Sequence, residues 1–167
     1  LDNSLGLKMM AELSSKTLQN EPRPMSPFPL QYVDDEWVDW HPPMNHVLYP
    51  HFQEMRTRFM QGEYAEQKAL LEKLQSQGGF PEQFVATYSV LQKKDTEEIL
   101  SYAVWGDGVD TLLPEVDRVA LIQTPEKPLG FVSWARVREV MGAAITEVSD
   151  LYPKRYRVRS FPSPAEL

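Results

Sequence analysis

The sequence predicts an α+β fold, mainly helical: a compact middle of about four helices, then a short β-hairpin and one more helix, flanked by extended arms rich in proline and aromatic residues. Three observations lead there. Apolar residues recur at spacings of three and four from Phe52 to Trp105, with glycines placed to end the runs. Two short apolar runs between Asp117 and Trp134 flank a turn marked by Pro125 and Pro128. Residues 21–50 hold seven of the fourteen prolines, among aromatic residues that follow neither the two-residue strand period nor the helical one.

In chain order, Leu5, Met9, Met10 and Leu13 predict a short amphipathic helix over 5–18 that docks by a narrow apolar stripe. The proline-stiffened stretch follows it. Phe52, Met55 and Phe59 then line one helix face, and Gly62 is placed to end or bend that helix. A second run, "EYAEQKALLEKLQSQGG", carries Tyr64, Leu71 and Leu74 among strong helix formers and stops at Gly78 and Gly79. Together they predict an antiparallel helical hairpin. The fragment at 62–74 has the loose spacing of one tetratricopeptide helix, but nothing similar recurs about 34 residues on, and a lone repeat has no neighbour to bury its face.

A third helix is predicted at 81–93, where Pro81 suits the first turn and Phe84, Val85, Tyr88 and Leu91 share a stripe. A fourth is predicted at 95–106, with Asp95 as cap, Glu98 reaching back to it and Gly106 closing. "DRVALIQ" and "PLGFVSW" read as paired strands, and Ser133 as the cap of a helix on Trp134, Val137 and Met141 that ends at Gly142. The domain division expected is 1–44 for the first helix and extended arm, 45–150 for one α-rich domain, and 151–167 for a basic extended tail.

Composition narrows the function. A net charge of −7 disfavours a protein that mainly coats nucleic acid, because that affinity comes from cations displacing counterions. Without cysteine there is no thiolate nucleophile, zinc ribbon or iron–sulfur cluster. The longest apolar runs, such as "VALI" at 119–122, fall far short of the roughly 20 residues that cross a bilayer, so the expectation is a soluble or membrane-peripheral chain. No Gly-rich phosphate loop, G-x-S-x-G elbow or HExxH pattern appears, so no cofactor or catalytic residue is assigned, and the reading leans away from an enzyme.

Two segments remain. "WVDWHPPMNHVLYPH", residues 37–51, contains every histidine: His41, His46 and His51, spaced by five, whereas metal ligands on one helix face stand three or four apart. A metal site or small enzyme built on these histidines is one alternative. The preferred reading makes Trp37, Trp40 and Tyr49 the anchors of a strap. Near the C-terminus, Lys154, Arg155, Arg157 and Arg159 fall within six residues, and an extended strand would place the three arginines on one face and Tyr156 with Val158 on the other. Such a ladder suits an acidic protein, a lipid headgroup, a nucleic-acid backbone or the chain's own acids at Asp34, Asp35, Glu36 and Asp39, and the acidic remainder of the chain, which would repel phosphate, ranks the protein and internal readings above nucleic acid.

The function these features suggest is a noncatalytic accessory subunit whose arms dock onto neighbouring protein subunits through Trp37, Trp40, Tyr49, Arg155, Tyr156, Arg157 and Arg159. An adaptor that binds an acidic protein or lipid through the arginines is the other alternative. No small-molecule ligand is inferred. An intracellular location is expected, and if Leu1 is a processed terminus, a peripheral subunit of a mitochondrial membrane complex, such as a respiratory complex or ATP synthase, is the assembly expected.

Overall fold

The computed structural model describes residues 4–21, 26–96 and 98–163. These contain three α-helices and ten strands in three sheets, with helix and strand in nearly equal shares of 35% and 31%, which corrects the expectation of a mainly helical fold. The chain divides into two compact units, Leu1–Phe59 and Met60–Leu167. Glu166 of the basic tail lies outside the described residues.

In the first unit, α1 (Ser4–Asn20) takes the place expected for it. Its Ala11, with Met10 and Leu18 beside it, packs on Phe52 and Met55 of α2 (Tyr49–Ser76) and on Leu48. Between the helices the chain is not simply extended. It forms a two-stranded antiparallel ribbon, β1 (Leu30–Val33) and β2 (Glu36–Asp39), turned by Asp34 and Asp35. Both turn residues have positive φ, 50° and 65°, as a two-residue type I′ hairpin requires.

The predicted helix break at Gly62 does not occur: α2 runs 28 residues through it. One glycine costs a helix only about 1 kcal/mol relative to alanine, which the strong formers on either side offset. The stop at Gly78 and Gly79 is real. Gly78 takes φ +72° and donates to the Gln75 carbonyl, while Gly79 donates to Leu74, a Schellman closure.

The third and fourth predicted helices are strands. Residues 81–93 hold β3 (Phe84–Val85) and β4 (Ser89–Gln92), and 95–106 becomes β5 (Ile99–Gly106). In β5, Ile99, Ser101, Ala103 and Trp105 are buried while Leu100, Tyr102 and Val104 alternate outward, so the true period is two. Asp95 and Glu98 form no capping box. Lys93 N–H donates to the Glu98 carbonyl and the two side chains pair at 2.6 Å, which closes the β4–β5 hairpin.

The predicted β7–β8 hairpin (Arg118–Thr124 with Lys127–Ser133) forms, and so does the helix after it, α3 (Trp134–Met141), whose cap Ser133 accepts from Arg136 N at 3.2 Å. With β6 (Thr111–Pro114), β9 (Ile145–Val148) and β10 (Arg155–Val158), the second unit holds two four-stranded sheets, ordered β3-β6-β10-β9 and β4-β5-β7-β8. Trp105, Val119 and Leu121 of the second of these share a core with Leu113, Tyr156 and Val158 of the first and with Trp134 and Val137 of α3. The opposite face of the first sheet, Val85 and Leu112, packs on Leu71 of α2.

Arg155 joins α2 to this sheet and is fully buried. Its Nε donates to Gln67 Oε1 at 2.6 Å, Nη1 to the carbonyls of Ala86 and Leu112 at 2.9 and 3.0 Å, and Nη2 to that of Tyr64 at 3.5 Å. The guanidinium also lies 5.2 Å over the Tyr64 ring. Among the described residues no carboxylate forms an ion pair with it. Burial pushes its pKa down to about 10, against the pull of Tyr64 and Glu72, so it stays charged at neutral pH.

Replacing Arg155 with alanine therefore leaves Gln67 Oε1 and the Ala86 carbonyl without their buried donor and takes one of two donors from the Leu112 carbonyl, which keeps Ala86 N–H at 3.1 Å, and we expect a loss of about 3–5 kcal/mol in chemical denaturation. Arg155→Lys, which keeps the charge without the planar fork, should recover only part of it. Gly62 is exposed, and a Cβ built there meets nothing within 4 Å, so Gly62→Ala should raise stability by about 0.5–1 kcal/mol in the same measurement.

Candidate docking surface on the first unit

The ribbon is positioned by what brackets it. On one side, buried Pro27 precedes Phe28, whose ring meets Phe59 edge-on at 5.4 Å and lies 4.9 Å beneath the Arg56 guanidinium. On the other, Trp40 N–H donates to the Pro29 carbonyl at 2.7 Å, and its ring meets Phe52 edge-on. Between these anchors every residue of β1 and β2 is exposed.

Tyr32 and Trp37 stand directly opposite each other, ring centroids 5.2 Å apart, with Leu30 and Asp39 on the same face; Val33, Val38, Gln31 and Glu36 occupy the other. Trp37 is 67% exposed and Tyr32 55%. Tyr32 Oη donates to Asp35 Oδ1 at 3.2 Å, which ties the ring to the turn. A two-stranded ribbon is marginal by itself, and among the described residues no third strand pairs with either of its edges. On α1, Leu5, Met9 and Leu13 form a stripe at successive turns and all three are more than half exposed, pointing away from the Ala11 side.

The sequence candidates thus separate into different environments. Trp37 is outward, Trp40 is half-buried as an anchor, and half-buried Tyr49 lines a cleft of about 290 Å³ with His41, Pro42, Phe52, Gln53 and Arg56. At the other end of the chain, β10 confirms the extended reading of "RYRV", but the arginine ladder is not a free surface. Arg155 is inside, and Tyr156 is buried against Trp134 with its hydroxyl donating to Glu115 at 3.3 Å. Burial, followed by the charges of Glu115 and Glu147, pushes the Tyr156 phenol up to about 12. Arg157 holds Asp110 through two bonds of 2.9 and 2.5 Å, and Arg159 lies 3.8 Å from the same carboxylate. Asp110 was not among the sequence candidates. Neither was Phe28, and nothing in the spacing singled out either one.

The three histidines do separate work. His46 Nδ1 accepts from Leu48 N–H at 3.1 Å, His51 Nε2 meets Ser15 Oγ at 3.1 Å, and His41 Nε2 contacts Arg56 Nη1. Among the described residues no group of three histidine or carboxylate side chains is arranged to hold a metal ion. Comparison with protein-family models, with curated proteins and with solved structures returns no match.

The His41–Arg56 contact has a measurable sign. Loss of solvent around the ring, and secondly the Arg56 charge, hold the imidazole pKa below its ordinary value of 6.5, with Asp39 pulling the other way. Folded His41 therefore binds fewer protons than the unfolded residue, and the stability it contributes is complete above pH 6.5 and is lost as pH falls through the lowered midpoint. A proton NMR titration should place its midpoint below 6.5, and Arg56→Ala should move it upward.

Proposed function

We propose that this chain is a noncatalytic accessory subunit that docks onto another protein through its first unit, with the β1–β2 ribbon as the principal contact. The observation that supports this most is where the apolar surface lies. Of sixteen large apolar side chains exposed among the described residues, ten belong to Leu1–Phe59: Leu5, Met9, Leu13, Leu30, Tyr32, Val33, Trp37, Val38, Met44 and Val47. The second unit, nearly twice as long, exposes six. A fold that could bury these side chains internally would gain by doing so, and their concentration on one unit is the pattern of an interaction site.

The chemistry of the partner follows from the ribbon's charges. Asp34, Asp35, Glu36 and Asp39 surround its aromatic pair, and there is no lysine or arginine from 26 to 40. The complementary surface is an apolar pocket with a basic rim, where a rigid tryptophan supplies most of the affinity and the charges set approach and register. No described helix is long and apolar enough to cross a membrane, which is compatible with a peripheral position in an assembly.

A photo-crosslinking residue at position 37, introduced in the native source, should capture one principal protein, while the same residue at Lys94 in the second unit should not. Trp37→Ala should weaken that complex by about 30-fold, the effect of losing a central tryptophan, and leave the melting temperature unchanged because the ring is exposed. Equal capture at both positions, or undiminished association of Trp37→Ala, would overturn the proposal.

A further inference from the structure

The second unit contains a cleft with two arginines in its lining that the docking proposal does not use. It has a volume of about 450 Å³ and is lined by Ala143, Ala144, Thr146, Arg157, Arg159 and Ser160. Strand register explains the grouping: Thr146 of β9 stands directly opposite Arg157 of β10, so hydroxyl and guanidinium share one face of the sheet. Among the described residues lining the cleft there is no carboxylate.

The charges beside it are unequal. Arg157 and Arg159 both approach one carboxylate, Asp110, and they do so differently. Arg157 is the firm partner, doubly bonded and 30% exposed at its side chain. Arg159, at 3.8 Å and 68% exposed, is held loosely. Two guanidiniums and one carboxylate leave a net positive charge at the cleft, in a chain whose overall charge is −7. We infer that this cleft binds a phosphomonoester or inorganic phosphate dianion, with Arg159 swinging from Asp110 to meet it, Thr146 and Ser160 donating hydroxyl hydrogen bonds, and Arg157 fixing the local field. Arginine's planar fork matches a phosphate through two parallel bonds, which a single distant carboxylate oxygen does not offer it. The site does not depend on the ribbon, so either proposal can fail without the other.

The test is a titration of the whole chain, followed by amide NMR at residues 143–146 and 157–160, with inorganic phosphate in one arm and glycerol phosphate in another, each against sodium chloride at matched ionic strength. Saturable shifts confined to these residues are expected with either phosphate compound and absent with chloride. Saturation by glycerol phosphate alone would assign the cleft to an esterified phosphate, and by inorganic phosphate alone to the free ion. Arg159→Ala should weaken binding at least tenfold, since it removes the mobile charge-assisted donor. Asp110→Asn, which removes the competing carboxylate, should strengthen it. Shifts that are linear, or reproduced by chloride, or unchanged in Arg159→Ala, would overturn the inference.

Discussion

The second unit depends on a cation that water cannot reach. Arg155 extends from β10 toward α2, and its donors are taken by Gln67, by the carbonyls of Tyr64, Ala86 and Leu112, and by no carboxylate among the described residues. A buried charge satisfied only by dipoles tolerates little displacement, because each lost hydrogen bond exposes the full cost of desolvation. Its neighbours are fixed in turn. The Tyr64 hydroxyl donates to the Lys154 carbonyl at 2.7 Å and accepts from Glu115 N–H at 3.1 Å, its ring stacks on Tyr88 at 4.9 Å, and Gln67 donates to the Pro153 carbonyl at 2.6 Å. Helix, sheet and the chain leading into β10 are therefore located by one polar network, while the surrounding apolar core supplies the bulk of the burial.

How much of this was legible depends on which signals are local. The Ser133 cap, the Gly78–Gly79 stop and the β7–β8 hairpin are set by residues within a few positions of each other, and each formed as expected. The misreading of 81–106 has a physical origin. Phe84, Val85, Tyr88 and Leu91 satisfy a helical stripe, but the segment is dense in aromatic and β-branched residues, and β5 finds β7 beside it, a parallel partner that no local pattern reveals. Tertiary pairing overrode a periodicity that was real and insufficient. The ribbon was missed for another reason: Asp34 and Asp35 carry an acidic character that suggests solvent, and their left-handed geometry is a role more often given to asparagine and glycine.

The candidate site was legible in part. Trp37, Trp40 and Tyr49 look alike in the sequence, yet Trp37 is exposed while Trp40 and Tyr49 are half-buried, because side chains close in sequence alternate between anchoring and display. The arginines show the same limit. Residues 155, 157 and 159 look equivalent in the sequence, yet one sits under a helix, one is bound to Asp110 and one reaches solvent. What distinguishes them is which part of the sheet is covered by α2, and that information resides at Tyr64, Gln67 and Leu71, about ninety residues earlier.

The position of β10 has a consequence for how the protein is made. It enters between β6 and β9, bonded to both, although it follows every other described strand in sequence. A nascent chain lacking residues 155–158 has a gap within that sheet, no Tyr156 or Val158 in its core, and nothing to occupy the space among Gln67, Ala86 and Leu112. The sheet that holds β10 cannot be completed piecemeal behind the moving ribosome, whereas the β4-β5-β7-β8 sheet has all its strands before it. The sheet awaiting β10 must hold its earlier strands unpaired on the side where β10 will lie, and complete its assembly in one late step once that strand has left the exit tunnel.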